Sequence, residues 1–487
     1  MGGLYGLLAG WWTPRGPVTT AQALAAMGLG LAVGLTSGLV SRTRWAALVA
    51  PTAFVGVFEL SRIGSTGPMV DGIHLGSQYG ILAFALGRGL HGVLAILPMI
   101  LGVVLGAGLA RRARVDRPAA RGRSRTGLWT RRTVTAMSTL GLLGLAGALV
   151  RPARTAAIRG ADGAPLPGSV AELTRVKING HSLAMMIRGA SIANPVLLFL
   201  AGGPGGTEIG SMRRHGRALE QSFVVATFDQ RGTGKSYDSL DPVSTLTLDG
   251  AVADAIAVTR YLCRRFGQQK VYLVGNSWGT MLGVLAAQQH PELFHAFVGT
   301  GQMVCPRETD RVFYTATLAW ARRTHDTALV DKLTRNGPPP YTDMLRYETA
   351  LTHEPDVYPY DHSRNSEGVG AMGENLFVQE SSLLEQLHDF PAVLDVFTVL
   401  YPQLQHIDFR TQVRRLDVPV YLVEGRYEPR GRARAAREWF SQLRAPTKQL
   451  IVFATSGHRP VFEQPREFAQ VMTTTVLAAA AERTSVA

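Results

Sequence analysis

Cysteine is almost missing from this chain: there are two, Cys263 and Cys305, far apart in sequence. Two residues cannot build a disulfide framework, so the fold must rest on a buried apolar core. Both are expected as buried free thiols, with a single disulfide left open for a domain outside the cytoplasm. Acids are also scarce. The chain has 36 Asp and Glu against 50 Lys and Arg, a formal net charge of +14, and few of the acids fall in the first third. There is no zinc-ligand spacing, no nucleic-acid motif and no internal repeat. A cleavable signal peptide is not expected, because the start lacks a basic stretch and apolar segments recur far beyond it. No metal or cofactor is expected, and neither is a nucleic-acid partner.

What is present divides the 487 residues into two kinds of text. The first third is rich in Leu, Gly, Ala and Val. The uncharged run "AQALAAMGLGLAVGLTSGLV" has the ~20 apolar residues that a bilayer-spanning helix needs. "LHGVLAILPMILGVVLGAGLA" and "TVTAMSTLGLLGLAGALV" are similar. "WAALVAPTAFVGVFEL" is the weakest, being short and holding Pro51 and Glu59. Residues 1–155 are therefore expected to form a transmembrane region of about four spans, 19–40, 45–61, 89–110 and 131–150. "YGILAFALG" at 79–87 is too short to span and either extends the next helix or re-enters the membrane. The basic run at 111–132 lies between apolar segments, so it is read as facing anionic lipid. Keeping that run and "SRTR" on the cytoplasmic side requires two crossings between them. The span at 133–150 then leaves the rest outside the cytoplasm. The expected location is thus a multi-pass cell-membrane protein with an extracytoplasmic soluble domain. Glu59, Arg88 and His91 read as isolated, with no intramembrane charge pairs of the kind that transport pathways use. The region reads as an anchor.

Residues 156–171, rich in Pro, Gly and Ala, read as a linker. Beyond it, "TRVKING" and "HSLAMMIRG" alternate around Asn179-Gly180, a hairpin signal. Continuous apolar runs follow at 195–203, 222–232, 270–279, 295–302, 418–426 and 448–458. Such runs suit parallel strands covered on both faces. Helical patterns lie between them, as in Val252, Ile256, Thr259, Leu262 and Phe266. Alternation of this kind predicts a mostly parallel, doubly wound α/β sheet.

Within it, "GNSWG" at 275–279 is G-x-S-x-G after a strand and before a helix. In that turn Ser277 stands clear of the backbone, and glycines two residues away on each side avoid a clash. A serine nucleophile needs a base, and the base needs an acid, in the chain order Ser, acid, His. His458, in "ATSGHRP" after the last strand, stands where the base belongs. Glu428, in the loop after "PVYLVEG", is the favoured acid, with Glu424 as the alternative; its bland role would be a surface pair with Arg426 or Arg430. For the oxyanion, the Trp278 amide and one from the loop "LAGGPGG" are expected as donors, Gly203 ahead of Gly202. That loop lacks the lysine and hydroxyl of a phosphate-binding loop.

These motifs, with "DQRGTGKS", "GTGQ", "GPPPY", "EGRYE" and "SGHRP", resemble the proline iminopeptidase-like serine hydrolases of the α/β-hydrolase superfamily over roughly residues 170–475. The resemblance implies an α/β-hydrolase fold with an inserted helical cap: core 172–302, cap 303–410, core 411–487. It implies acyl transfer through Ser277, Glu428 and His458. The substrate would be a short peptide with an N-terminal proline or small residue, or a small molecule. In such peptidases cap acids bind the free amine. Glu374, Glu380, Glu385 and Glu208 are the acids at hand, although a solvated helix face is the simpler expectation for each. Two departures stand out: Ala201 replaces the family's histidine, which weakens support for the glycine loop, and Glu428 replaces its aspartate. An esterase of small or lipid esters, and a catalytically dead fold serving as a membrane-tethered binding domain, remain as alternatives.

Overall fold

The computed structural model describes residues 1–112, 125–358 and 373–480. Most of the arginine-rich loop behind the orientation argument, and residues 359–372 of the expected cap, lie outside the described residues. The chain forms two units, Met1–Pro152 with Ser382–Pro391, and Ala153–Ser381 with Ala392–Ala487. The expected cap range thus gives up the first turns of its long helix Leu383–Leu404 to the N-terminal unit.

In the N-terminal unit, Thr20–Ser41, Gln78–Arg112 and Arg132–Leu149 are long and apolar enough to cross a membrane. Segment 79–87 joins the following helix rather than re-entering. Ala46–Ser61 is a helix of 16 residues, about 24 Å at 1.5 Å per residue, short of a ~30 Å hydrocarbon core. A further helix, Gly2–Trp12, escaped the sequence reading. Glycine sets the packing. Gly30, Gly34 and Gly38 lie on one face of Thr20–Ser41, where added Cβ atoms would strike the backbone carbonyls of Ala95, Met99 and Val103. Gly2 and Gly6 of the first helix meet the carbonyls of Ala50 and Phe54 in the same way. Backbones approach this closely only where side chains are absent. Glu59 is not isolated as expected. It pairs with Arg62 at 2.7 Å and with Arg88 at 3.1 Å.

In the second unit an eight-stranded sheet has the order β1-β2-β4-β3-β5-β6-β7-β8. The strands are β1 (Val170–Ile178), β2 (His181–Gly189), β3 (Val196–Leu200), β4 (Val224–Phe228), β5 (Val271–Asn276), β6 (Phe294–Thr300), β7 (Val420–Gly425) and β8 (Lys448–Phe453). β1 and β2 form the expected antiparallel hairpin, β2 also runs antiparallel to β4, and the remaining pairings are parallel. β3, β4, β5 and β7 are buried along their whole length, as strands covered on both faces must be. The helix Leu248–Phe266 buries Val252, Ile256, Thr259 and Leu262 and leaves Phe266 half-buried. It starts at a Thr247 side-chain cap and stops at left-handed Gly267, a position where glycine carries no Cβ penalty. The linker is tied down, since the Arg188 guanidinium donates to Thr155 Oγ1 and to the Ala156 carbonyl. Between β6 and β7 the described residues form helices and no strand.

In detergent, Gly34→Leu is expected to lower the melting temperature, by an overpacking cost on the order of 1–3 kcal/mol. Gly28→Leu, at a glycine with nothing within 4 Å of an added Cβ, is the control and should melt like the parent. Equal melting of both variants would remove the close helix contact.

Candidate active site

The parallel strands end together, and the residues of interest sit on the loops just beyond them. Ser277 follows β5 with φ 51° and ψ −119°. A non-glycine residue at positive φ costs ~1–3 kcal/mol and persists only where its surroundings enforce it. Here they do. An added Cβ at Gly275 would lie 2.6 Å from the Gly279 carbonyl oxygen, and one at Gly279 would run into the Leu200 carbonyl. The Ser277 amide donates to the Thr300 carbonyl at 2.9 Å. Its side chain is half-buried, with Oγ 3.8 Å from Met303 Sδ.

His458 stands on the same turn. Its ring packs on Gly301, where an added Cβ would lie 2.7 Å from Cε1, and Gly301 has φ +59°. Thr300 and Gly301 therefore hold the serine backbone and the imidazole side by side. His458 Nδ1 lies 3.0 Å from both carboxylate oxygens of Glu428. Glu428 is buried, and burial pushes its carboxyl upward. The charges of His458 and Arg432 outweigh that push, so it ends below the usual glutamate value. The alternative acid, Glu424, turns away to Arg437 Nε at 3.0 Å. The arginine beside Glu428 is neither Arg426 nor Arg430 but Arg432, whose Nη1 is 3.3 Å from Oε1. The spacing i, i+4 at the start of the helix Arg430–Gln442 carried that signal.

The glycine loop follows β3. The Gly202 amide is spent on Glu208 Oε2 at 2.9 Å, which removes the second-choice donor. The Gly203 amide has no hydrogen-bond partner among the described residues. Trp278 opens the helix Trp278–Gln289, and the first amide of a helix has no acceptor within it. The Trp278 indole is locked separately, donating to Gln230 Oε1 at 2.7 Å, and Gln230 Nε2 donates to the Ala201 carbonyl at 3.1 Å. Gln230 and Glu208 thus supply the support that the missing histidine put in doubt.

The four acids weighed for a substrate amine are not on solvated faces. Glu208 also accepts from Asn276 at 3.0 Å and Arg459 at 3.4 Å, and burial raises its carboxyl despite Arg459. Glu374 is buried between His215 at 2.9 Å and Ser211 at 3.2 Å. Glu380 pairs with Arg213 at 3.0 Å. Glu385 caps its own helix by accepting from the Ser382 amide. A different acid lines a cavity that Met303 shares with Phe313, Tyr347, Tyr401 and Arg432, namely Asp310. It accepts from the Tyr401 hydroxyl at 2.6 Å and Gln405 at 3.0 Å. Burial pushes its carboxyl up to about 6. Nothing local in the sequence marked it. Cys263 and Cys305 are buried free thiols. No cluster of three potential metal ligands occurs among the described residues.

A β-strand, a sharp serine turn and a histidine–glutamate pair on adjacent loops define an α/β-hydrolase arrangement, and the chain belongs to that family. The model of the alpha/beta hydrolase fold matches residues 195–465. The chain is similar to a "probable aminopeptidase", YbaC, of Bacillus subtilis, with 30% identity over 63% of this chain and 97% of that one. It is also similar to the proline iminopeptidase of Neisseria gonorrhoeae, 35% identical over 23% of this chain and only 34% of that one. Among solved structures, the proline iminopeptidase of Mycobacterium smegmatis has 18% identity, a TM-score of 0.46, and coverage of 64% of this chain and 100% of that one. The protein is a hydrolase of the α/β family.

Glu208→Ala would leave Arg459 buried without its carboxylate and the Gly202 and Asn276 donors unpaired. The expected loss is about 3–5 kcal/mol, read as a lower denaturation midpoint of the full-length protein in detergent. A midpoint within error of the parent would show that the network around Glu208 does not hold the loop.

Proposed function

We propose that this is a membrane-anchored serine hydrolase that cleaves an amide through an acyl-enzyme, with an aminopeptidase's preference for a free N-terminal amine. The carrying observation is the contact of His458 Nδ1 with Glu428 on the turn that also holds the Ser277 amide. In this reading His458 takes the Ser277 proton as Oγ attacks the carbonyl carbon. Glu428 keeps the imidazole in its tautomer and steadies the imidazolium. The amides of Gly203 and Trp278 receive the oxyanion, each donor worth ~3 kcal/mol. The imidazolium returns the proton to the leaving amine, and water, activated by the same histidine, releases the acid. This chemistry requires no metal or cofactor.

Asp310 is the acid that would meet the substrate amine, because it lines the cavity reached past Met303. Tyr401, Gln405 and Tyr347, which bond to it, leave room for a further donor on a carboxylate with about four lone-pair sites. The named activities of the Bacillus and Neisseria relatives support a peptide substrate. The N-terminal helices serve as the anchor, and their exposed Val134, Met137, Leu140 and Leu143 suit contact with lipid tails. With Ala46–Ser61 crossing as a short span, the soluble unit lies outside the cytoplasm.

The first test is labelling of the membrane-bound protein with a fluorophosphonate probe. The parent should label, and Ser277→Ala and His458→Ala should lose labelling by ~100-fold or more. A folded parent that resists the probe would point instead to a catalytically dead binding domain. The second test compares a proline amide with a short ester. Asp310 is ionised above about 6, so the amide-to-ester ratio of kcat/KM should rise as pH increases through that value. Taking the ratio cancels the titration of the shared base. Asp310→Asn should flatten the rise and lower the ratio ~10-fold. Turnover of esters with no turnover of amides would make the protein an esterase.

A further inference from the structure

Glu428 is a glutamate where the resembling family has an aspartate, and its longer arm has one more torsion to restrain before it can hold an imidazole. The restraint comes from Arg432. Its Nη1 lies 3.3 Å from Glu428 Oε1, and its Nη2 lies 3.0 and 3.1 Å from the two oxygens of Glu354. The guanidinium stacks on Phe313 at 4.7 Å from the ring centroid, which fixes its plane. Arg432 and Glu354 are both largely buried. Glu354 belongs to the short cap helix Glu354–Val357.

We infer that Arg432 is a positioning residue for the triad acid, and that Glu354 of the cap holds Arg432 in place. The inference rests on Glu428 and His458 acting as proposed above. The distances describe the balance. An arginine facing Glu428 alone would draw the carboxylate toward itself and away from Nδ1. Glu354 takes the shorter contact, with both of its oxygens on Nη2, while Nη1 faces Glu428. Glu428 is left with a longer bond to Arg432 and shorter ones to His458. A line of paired side chains, His458, Glu428, Arg432 and Glu354, thus runs from the reacting loops into the cap. Cap and triad are assembled as one unit, so a cap segment far from Ser277 in sequence sets the geometry of the base.

The test uses the full-length protein in detergent, with fluorophosphonate labelling rates and ester turnover read on the parent, Ser277→Ala, Arg432→Ala, Arg432→Lys and Glu354→Gln. A parent that labels, beside a silent Ser277→Ala, establishes the serine reading on its own. Arg432→Ala should then label and turn over ~10- to 100-fold more slowly with KM close to the parent. Guanidinium ion, added below the concentration that unfolds the parent, should restore part of the rate. Such rescue requires a folded enzyme with a guanidinium-shaped gap. Arg432→Lys should stay slow, because an ammonium cannot bond to both carboxylates as a fork. Glu354→Gln should slow labelling with Arg432 intact. Parent-like rates in both Arg432→Ala and Glu354→Gln overturn the inference and leave the serine reading standing. A change confined to KM also overturns it, making Arg432 a substrate-binding residue. A parent that fails to label overturns both.

Discussion

The backbone of Leu200 runs so close to the first turn of the helix after Ser277 that position 279 has room only for hydrogen. This contact brings β3 and β5 into the register that the rest of the site uses. It forces Ser277 into positive φ, turns its hydroxyl out of the sheet, and puts the glycine loop after β3 beside the serine. A second contact of the same kind, between Gly301 and the His458 ring, brings in the loop after β8. Neither contact contributes much energy. Each excludes side chains that would separate strands by an ångström or more, enough to part the groups that meet at the strand ends.

Around this frame the protein buries charge. Glu208, Glu374, Arg459 and His215 form a connected set with Ser211 at its centre. Charges taken from water are stable only when their partners are fixed, so each member orders the next. Glu208 bonds to both Gly202 and Asn276, the residues that flank the reacting region on either strand. Electrostatics therefore holds the loops that steric exclusion positions. The same logic links Glu428 through Arg432 to Glu354, where a longer acid is matched by a second cation.

The N-terminal helices solve a different problem with similar means. These apolar helices meet by close approach of their backbones. Glycine at every fourth position in Thr20–Ser41 permits it. The richness in glycine that reads from sequence as mere composition is a helix-packing surface in the structure.

Much of this was legible in the residues. The central strands β3, β4, β5 and β7 showed as apolar runs because both sheet faces are covered there, and the hairpin showed at Asn179-Gly180 because a two-residue turn needs positive φ. The candidate residues Ser277, Glu428 and His458 stood out through local context: an elbow after β5, a carboxylate after β7, a histidine after β8. The cap acids were not. Glu374 and Glu380 read as solvated faces because their partners, His215, Ser211 and Arg213, lie more than 150 residues away. Glu59 read as isolated because Arg88 comes from another helix. Asp310 carries no motif, and its place at the cavity depends on Tyr401 and Gln405 arriving from the far end of the cap. The sequence by itself determined the strands, the elbow and the chain order of the candidate site residues, since each depends on neighbours within a turn or two. Only the tertiary structure decided which buried charges meet, because a carboxylate's role depends on the groups that replace its water, and chain folding alone brings those groups to it.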